Sequence, residues 1–171
     1  MELSITHEFD CDVERYWRTF FDEEYNRALY RELKMRDRTV LEHVSEGGGE
    51  TIRRVVRVVP DVELPSLVRK IVGESVAYVE RSTWSRARSA LDVTVELDAP
   101  GMRDRFELRG VYAVAPSGPG RVRRDFHAVL SVRVPIVGGQ VEKQIAEQTR
   151  KSYETTAVFT RRWLAEHPAE P

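Results

Sequence analysis

One long amphipathic segment closes this chain, and it must pack against residues that are mostly strand-like. From about residue 139 to 166, apolar side chains recur at the spacing of one helix face: Val141, Ile145, Phe159 and Trp163. Two shorter helical patterns follow Asp12 and Asp22, whose carboxylates can cap a helix start. A single long helix against a long, curved sheet leaves a gap that side chains need not fill, and such a gap can hold a small apolar molecule.

The rest of the chain predicts seven strands. They show alternation or many β-branched residues, are separated by turn sequences, and cover about 2–9, 35–46, 50–59, 75–87, 89–98, 105–115 and 121–134. Sequential strands joined by short turns pair as an antiparallel meander, which twists and curls. We therefore predict an α+β fold in which a seven-stranded curved antiparallel sheet surrounds the long C-terminal helix, with two short helices after strand 1. Gly110, inside the sixth strand, is expected to mark a bend.

Length, charge and cysteine content restrict the classes of function. The chain has 171 residues, which suits one domain, and its tail at about 167–171 is expected to fray. Its 27 basic and 28 acidic residues nearly cancel, so no nucleic-acid partner is expected, and we interpret Arg121, Arg123 and Arg124 as a solvated strand face. A single cysteine, Cys11, excludes an internal disulfide and a cysteine-pair zinc site. Because the sequence has no signal-peptide pattern and no apolar run of roughly 20 residues, we expect a cytoplasmic protein.

The element order, together with three sequence stretches, resembles a known superfamily. The stretches are the aromatic first helix Val13–Trp17, the junction Val132–Glu142, and the end of the last helix, Phe159–Leu164. Over essentially the whole chain, this combination resembles the helix-grip fold of the START-like, or SRPBCC, superfamily, and more narrowly an uncharacterised bacterial branch of it. The resemblance implies a single START-like domain over 1–171 that binds lipids, sterols, polyketides or hormones in a central cavity. It does not imply one chemistry, since only a minority of the superfamily are enzymes.

The Rieske-type oxygenases of this superfamily hold a mononuclear iron with two histidines and a carboxylate. This chain has four histidines, and no two of them have the spacing of ligands on one helix: His7, His43, His127 and His167. We therefore expect neither a metal nor another cofactor.

The inward faces of the predicted strands are apolar, and polar groups interrupt them in two places. One is the strand that carries Glu80, whose carboxylate either reaches solvent, pairs with an arginine on a neighbouring strand, or contacts a ligand. The other is the middle of the long helix, whose polar side chains either bond to the sheet or face a wet cavity. Nearby aromatic side chains are core residues or ligand walls. The predicted ligand-binding residues are Tyr78, Glu80, Trp84, Tyr112, Phe126, Leu130, Gln148 and Ser152.

Residues 64–73 break the β pattern and predict a short helix that is more apolar than a surface connection needs. Its apolar side chains either plug one end of the core or form a gate to the cavity: Leu64, Leu67, Val68 and Ile71. As a gate, the segment would open at low cost because short helices are marginally stable. Arg69 and Lys70 would then hold it near an anionic surface, which predicts transient contact with a membrane surface.

Three functions are compatible with these patterns. The first is a noncatalytic carrier or sensor of a lipid or other apolar metabolite. The second is a cyclase- or hydrolase-like enzyme in which Glu80, Tyr78 or Tyr112 acts as acid or base. The third is a structural or partner-binding module whose cavity is filled by side chains. We expect the first, because the pattern predicts a container and residue spacing reveals no catalytic set.

Overall fold

The computed structural model describes residues 1–61, 66, 69–70, 77–99, 105–136 and 138–168. Within these ranges it contains seven strands and three helices. In chain order they are β1 (Glu2–Phe9), α1 (Val13–Phe21), α2 (Glu23–Glu32), β2 (Met35–Glu46), β3 (Thr51–Pro60), β4 (Tyr78–Ser85), β5 (Ala90–Leu97), β6 (Phe106–Gly118), β7 (Arg121–Val132) and α3 (Gly138–Glu166). Most of the predicted helix at 64–73 and the end of the tail lie outside the described residues.

The strands form one antiparallel sheet in the order β1-β7-β6-β5-β4-β3-β2. From β2 to β7 each strand pairs with the next one along the chain, as a meander does. Strand β1 instead pairs with β7, so the first and last strands of the chain lie side by side. This topology, with two short helices after β1 and a long final helix, confirms the predicted helix-grip fold.

Aspartates start the two short helices, as the sequence predicts. The carboxylate of Asp12 accepts a hydrogen bond from the backbone N–H of Arg15 at 2.7 Å, and that of Asp22 accepts one from Tyr25 at 2.7 Å. Each bond satisfies a backbone donor that has no partner inside the first helical turn. A single residue, Asp22, lies between the two helices: it follows the end of α1 and caps the start of α2.

Helix α3 rests mainly on β7, β1 and α2. On β1 and β7 alternate residues point toward the helix and are buried, which gives both strands a strict two-residue burial pattern over most of their length. Ala146, Ala157 and Leu164 join the main apolar core from the helix side. A second, smaller cluster, in which Phe159 packs with Tyr25, attaches the last turns of α3 to α2. Within the described residues, no helix combines the length and the apolar character needed to cross a membrane.

Gly110 does not mark a bulge in β6, and a bend of the strand at this residue stays a prediction. It pairs in continuous register with Ala128 on β7, and the register shift of this strand pair lies further along, between Pro116 and Gly118. A Cβ atom at position 110 would lie 2.8 Å from the Ala128 Cβ and 2.9 Å from Cε2 of Phe126. The glycine is needed because the Phe126 ring lies across the backbone there.

We predict that Gly110→Ala lowers the free energy of unfolding by about 1–3 kcal/mol, because Phe126 or Ala128 must move to admit the methyl group. Urea unfolding of the purified variant measures this change. Gly139→Ala is the matched control, since a Cβ there meets no atom within 4 Å. A Gly110→Ala protein as stable as the Gly139→Ala protein would contradict the close approach of the Phe126 ring.

Candidate functional site

A cavity of about 380 Å³ lies between the sheet and α3. Its wall is mainly apolar because alternate residues of β5 and β6, together with the first turns of α3, project into it. The apolar part of the wall includes Leu91, Val93, Val95, Leu97, Phe106, Leu108, Val132, Val141 and Ile145, together with Phe20, Leu29, Leu33, Met35, Pro60 and Phe126. The volume falls within the range of about 300–1,000 Å³ that is typical of small-molecule pockets.

Six of the eight predicted ligand-binding residues line this cavity: Tyr78, Glu80, Tyr112, Phe126, Gln148 and Ser152. They come from β4, β6, β7 and α3, so the fold brings together residues that are far apart in the sequence. Gln148 is also exposed to solvent, which places it where the cavity meets the surface.

The other two predicted residues lie elsewhere in the core. Trp84 is buried against Trp17 and Phe21 of α1, with ring centroids 5.6 and 5.5 Å apart, so α1 separates it from the cavity. Leu130 is fully buried in the main apolar core on β7, where α3 packs directly on the sheet. The four predicted gate residues, Leu64, Leu67, Val68 and Ile71, lie outside the described residues.

Two threonines in the second half of α3 bond within the helix itself. The Thr156 hydroxyl donates to the Ser152 carbonyl at 2.8 Å, and the Thr160 hydroxyl donates to the Thr156 carbonyl at 2.6 Å. Since Thr160 has used its proton, the Tyr25 hydroxyl donates to Thr160 at 2.7 Å. Thr156 and Thr160 therefore bond to their own helix and, through Tyr25, to α2.

A fully buried arginine, Arg124, borders the cavity. The interpretation as a solvated face is therefore confirmed for Arg121 and Arg123, which are 53% and 55% exposed, and wrong for Arg124. Its Nη1 donates to the Tyr112 hydroxyl at 3.1 Å, and its Nη2 donates to His7 Nδ1 at 2.7 Å. The guanidinium also lies 5.3 Å from the ring centroids of Tyr112 and Tyr153. The sequence contained the information that identifies Arg124. Phe126 and every second residue after it on β7 point inward, and the same pattern, extended two residues before Phe126, includes Arg124.

His7 connects this arginine to α3. An arginine can only donate, so His7 Nδ1 accepts from Arg124 and the ring proton lies on Nε2, which donates to Glu154 Oε1 at 2.9 Å. Burial lowers the pKa of His7 below its ordinary value of 6.5, and the positive charge of Arg124 adds to this shift, while Glu154 opposes it. The imidazole is therefore neutral at pH 7 and serves as a bridge between Arg124 and Glu154.

Burial keeps Tyr78 and Cys11 in their neutral forms. Burial raises the pKa of Tyr78 well above its ordinary value, and the neighbouring Tyr30 and Glu80 add to the shift. Burial likewise raises the pKa of the Cys11 thiol to about 11, so this side chain is not an activated nucleophile. The Tyr112 hydroxyl is already engaged by Tyr16 and Arg124. No group of three His, Cys, Asp or Glu side chains is arranged to hold a metal ion in the part of the chain that the structure describes.

A second buried arginine, Arg54, differs from Arg124 in having few partners. Its side chain points inward from β3 and lines the cavity, and the residue is only 3% exposed. The guanidinium lies 5.1 Å from the ring centroid of Phe20 and 5.4 Å from that of Phe21. Its Nε and Nη1 have no hydrogen-bond partner among the described residues. Sequence reasoning missed this residue, although the alternation of Ile52, Arg54 and Val56 along β3 could have identified it.

Glu80 lies on the neighbouring strand, two positions from the residue opposite Arg54. Arg54 is opposite Ser82, and Val56 is opposite Glu80, so the two charged residues are diagonal neighbours on the inward face of β3 and β4. No ion pair joins them among the described residues, and Glu80 faces the cavity. Of the alternatives for Glu80, an ion pair with an arginine is therefore not seen among the described residues, and contact with a ligand stays a prediction.

The sequence profile of a family described as "Protein of unknown function (DUF2505)" matches residues 4–164. The chain is 24% identical over 168 residues to an "Uncharacterized protein" of Mycobacterium tuberculosis and to one of Mycobacterium bovis, with 95% of each chain covered.

Several solved structures share the fold. A Thermus thermophilus protein, TTHA0849, superposes with a TM-score of 0.67 at 18% identity, covering 98% of this chain and 100% of that one. The Zhui aromatase/cyclase of Streptomyces sp. R1128 gives 0.65 at 13% identity, with 93% and 90% covered. A START superfamily protein from Mycobacterium smegmatis gives 0.59 at 17% identity, with 96% and 97% covered. These likenesses confirm the START-like, helix-grip fold.

We predict that the free energy of unfolding falls as the pH drops below about 6.5, because the unfolded chain then binds a proton at His7 that the folded protein resists. His7→Gln should flatten this part of the pH dependence, since an amide can accept from Arg124 and donate to Glu154 without titrating. Urea unfolding between about pH 8 and pH 5 measures both proteins.

His43→Gln is the matched control, because His43 is exposed on β2. The free energy of unfolding of His43→Gln should still fall as the pH drops below 6.5, because His7 is unchanged in this variant. Equal slopes in the His7→Gln and unmodified proteins would contradict a neutral, buried His7.

Proposed function

We propose that this chain, which belongs to the DUF2505 family of proteins of unknown function, binds a mainly apolar small molecule or lipid between its sheet and α3 and acts as a noncatalytic carrier or sensor. The observation that carries the proposal is the cavity of about 380 Å³ with its apolar wall. Burial of an apolar ligand there would gain about 25 cal/mol for each Å² removed from water. Because the helix and the sheet already form the two sides of the space, binding would avoid much of the cost of ordering the site.

An acid–base enzyme is less well supported by the candidate groups. Tyr112 already bonds to Tyr16 and Arg124, and burial keeps Tyr78 protonated at neutral pH. Glu80 remains as a single carboxylate on the wall, without a neighbouring nucleophile or base among the described lining residues. The likeness to an aromatase/cyclase, at 13% identity, concerns the fold and not the chemistry.

A purely structural module is also less well supported. Such a module would fill its core with side chains to the density of an organic crystal, with few voids larger than a water molecule. A mainly apolar space of about 380 Å³ inside the domain loses the dispersion contacts that a filled core would make. The cavity therefore supports the binding of a small molecule more than it supports a purely structural role.

We predict that Val95→Trp abolishes or greatly weakens the binding of the neutral apolar dye Nile red, whose fluorescence should rise when it enters the cavity of the unmodified protein. Val95 is half-buried on β5 and lines the cavity, so an indole at this position would occupy the ligand's space. A fluorescence titration measures the dissociation constant for both proteins.

Val129→Trp is the matched control, because Val129 is 55% exposed on the opposite face of β7. It adds the same side chain outside the cavity and should leave dye binding unchanged. Equal dye binding by the unmodified, Val95→Trp and Val129→Trp proteins would place the dye elsewhere and count against the proposed function.

A further inference from the structure

We propose that the ligand of this cavity carries one negative charge, such as the carboxylate of a fatty-acid-like amphiphile, and that Arg54 binds it. The inference rests on the proposed function, because it names the chemical class of the same ligand. It is carried by a buried arginine with unpartnered donors in a cavity that is otherwise mainly apolar.

In the protein without a ligand, the burial of Arg54 is unfavourable. The guanidinium keeps its positive charge at any physiological pH. It is 3% exposed, and its Nε and Nη1 bond to no described residue, so the charge has lost water without gaining an equivalent partner in those two directions. The rings of Phe20 and Phe21 offer cation–π contact only. Burial of an ion that is not paired is unfavourable, so a partner that supplies charge and acceptor oxygens would be bound favourably.

Arg124 differs from Arg54 in the hydrogen-bond partners of its guanidinium. Arg124 borders the same cavity but donates to Tyr112 and to His7, and through His7 it is connected to the carboxylate of Glu154. Its charge is therefore stabilised within the protein, and Arg124 needs no ligand to satisfy it. Arg54 has no equivalent network among the described residues, which distinguishes a structural arginine from one that is free to bind.

Arg54 and Glu80 carry opposite charges on the cavity wall, and Arg124 is connected through His7 to the carboxylate of Glu154. The preference for an anionic ligand therefore follows from the unpartnered donors of Arg54 and not from the net charge of the wall. The inward side chains of β5 and β6 next to Glu80 are apolar, and they include Val95 and Leu108. These side chains would surround the uncharged part of the ligand. The arrangement therefore fits an amphiphile whose charged group lies near β3 and whose apolar chain lies beneath α3.

The test compares two probes that differ only at the head group, dodecanoate and 1-dodecanol, by isothermal titration calorimetry at a pH where the carboxylate is ionised. The unmodified protein should bind dodecanoate at least about tenfold more tightly, as expected for charge-assisted hydrogen bonds. Arg54→Met should lose this preference and retain dodecanol binding, since methionine keeps the length and apolar character of the side chain. Arg54→Lys should retain part of the preference.

Arg53→Met is the matched control, because Arg53 is the next residue on β3 and is exposed on the opposite face. It should keep the full preference for dodecanoate. Equal binding of the two probes by the unmodified protein, or a preference that survives Arg54→Met, would overturn the inference while leaving the proposed function in place. Failure of both probes to bind would count against the proposed function itself, and the inference would fall with it.

Discussion

Helix α3 packs closely on only one side of the sheet that it faces, and the cavity follows from this asymmetry. It rests on β7 and β1, where Tyr153 stacks on Phe126 with ring centroids 4.7 Å apart. Its last turns are attached to α2 through Phe159, Trp163 and Tyr25. Strands β3 to β6 continue the sheet away from these contacts, and their inward side chains line the cavity opposite the helix. The curvature of the meander therefore provides both the core and the space beside it.

Two buried arginines show how the same residue type can serve different purposes in one domain. Arg124 connects β7 to β6 through Tyr112, to β1 through His7, and, through His7 and Glu154, to α3. Removing any member of this network would leave a buried polar group unsatisfied, so we regard it as part of what holds the helix on the sheet. Arg54 makes no comparable contacts among the described residues, which is why its charge is more informative about a ligand than about stability.

The fold was predictable because its signals are local and periodic. The apolar spacing of α3, the capping aspartates Asp12 and Asp22, and the alternation of β1 each appear within a few residues of sequence. The polar centre of the site was harder to predict. Arg54 and Arg124 obey the inward alternation of their strands, but an arginine in such a position is usually solvated, and this general tendency concealed them. The bond between His7 and Glu154 joins residues 147 positions apart, and no sequence pattern brings such a pair together.

The measurement that tests the account most directly is a crystal structure of the protein under xenon pressure. Xenon occupies enclosed apolar cavities without needing a polar partner. We expect anomalous density beneath α3, among Leu97, Phe106, Leu108, Val141 and Ile145, with these side chains close to their present positions. A structure without xenon there, in which the same side chains fill the space between the sheet and the helix, would contradict a ligand-binding cavity and would support a closed structural module.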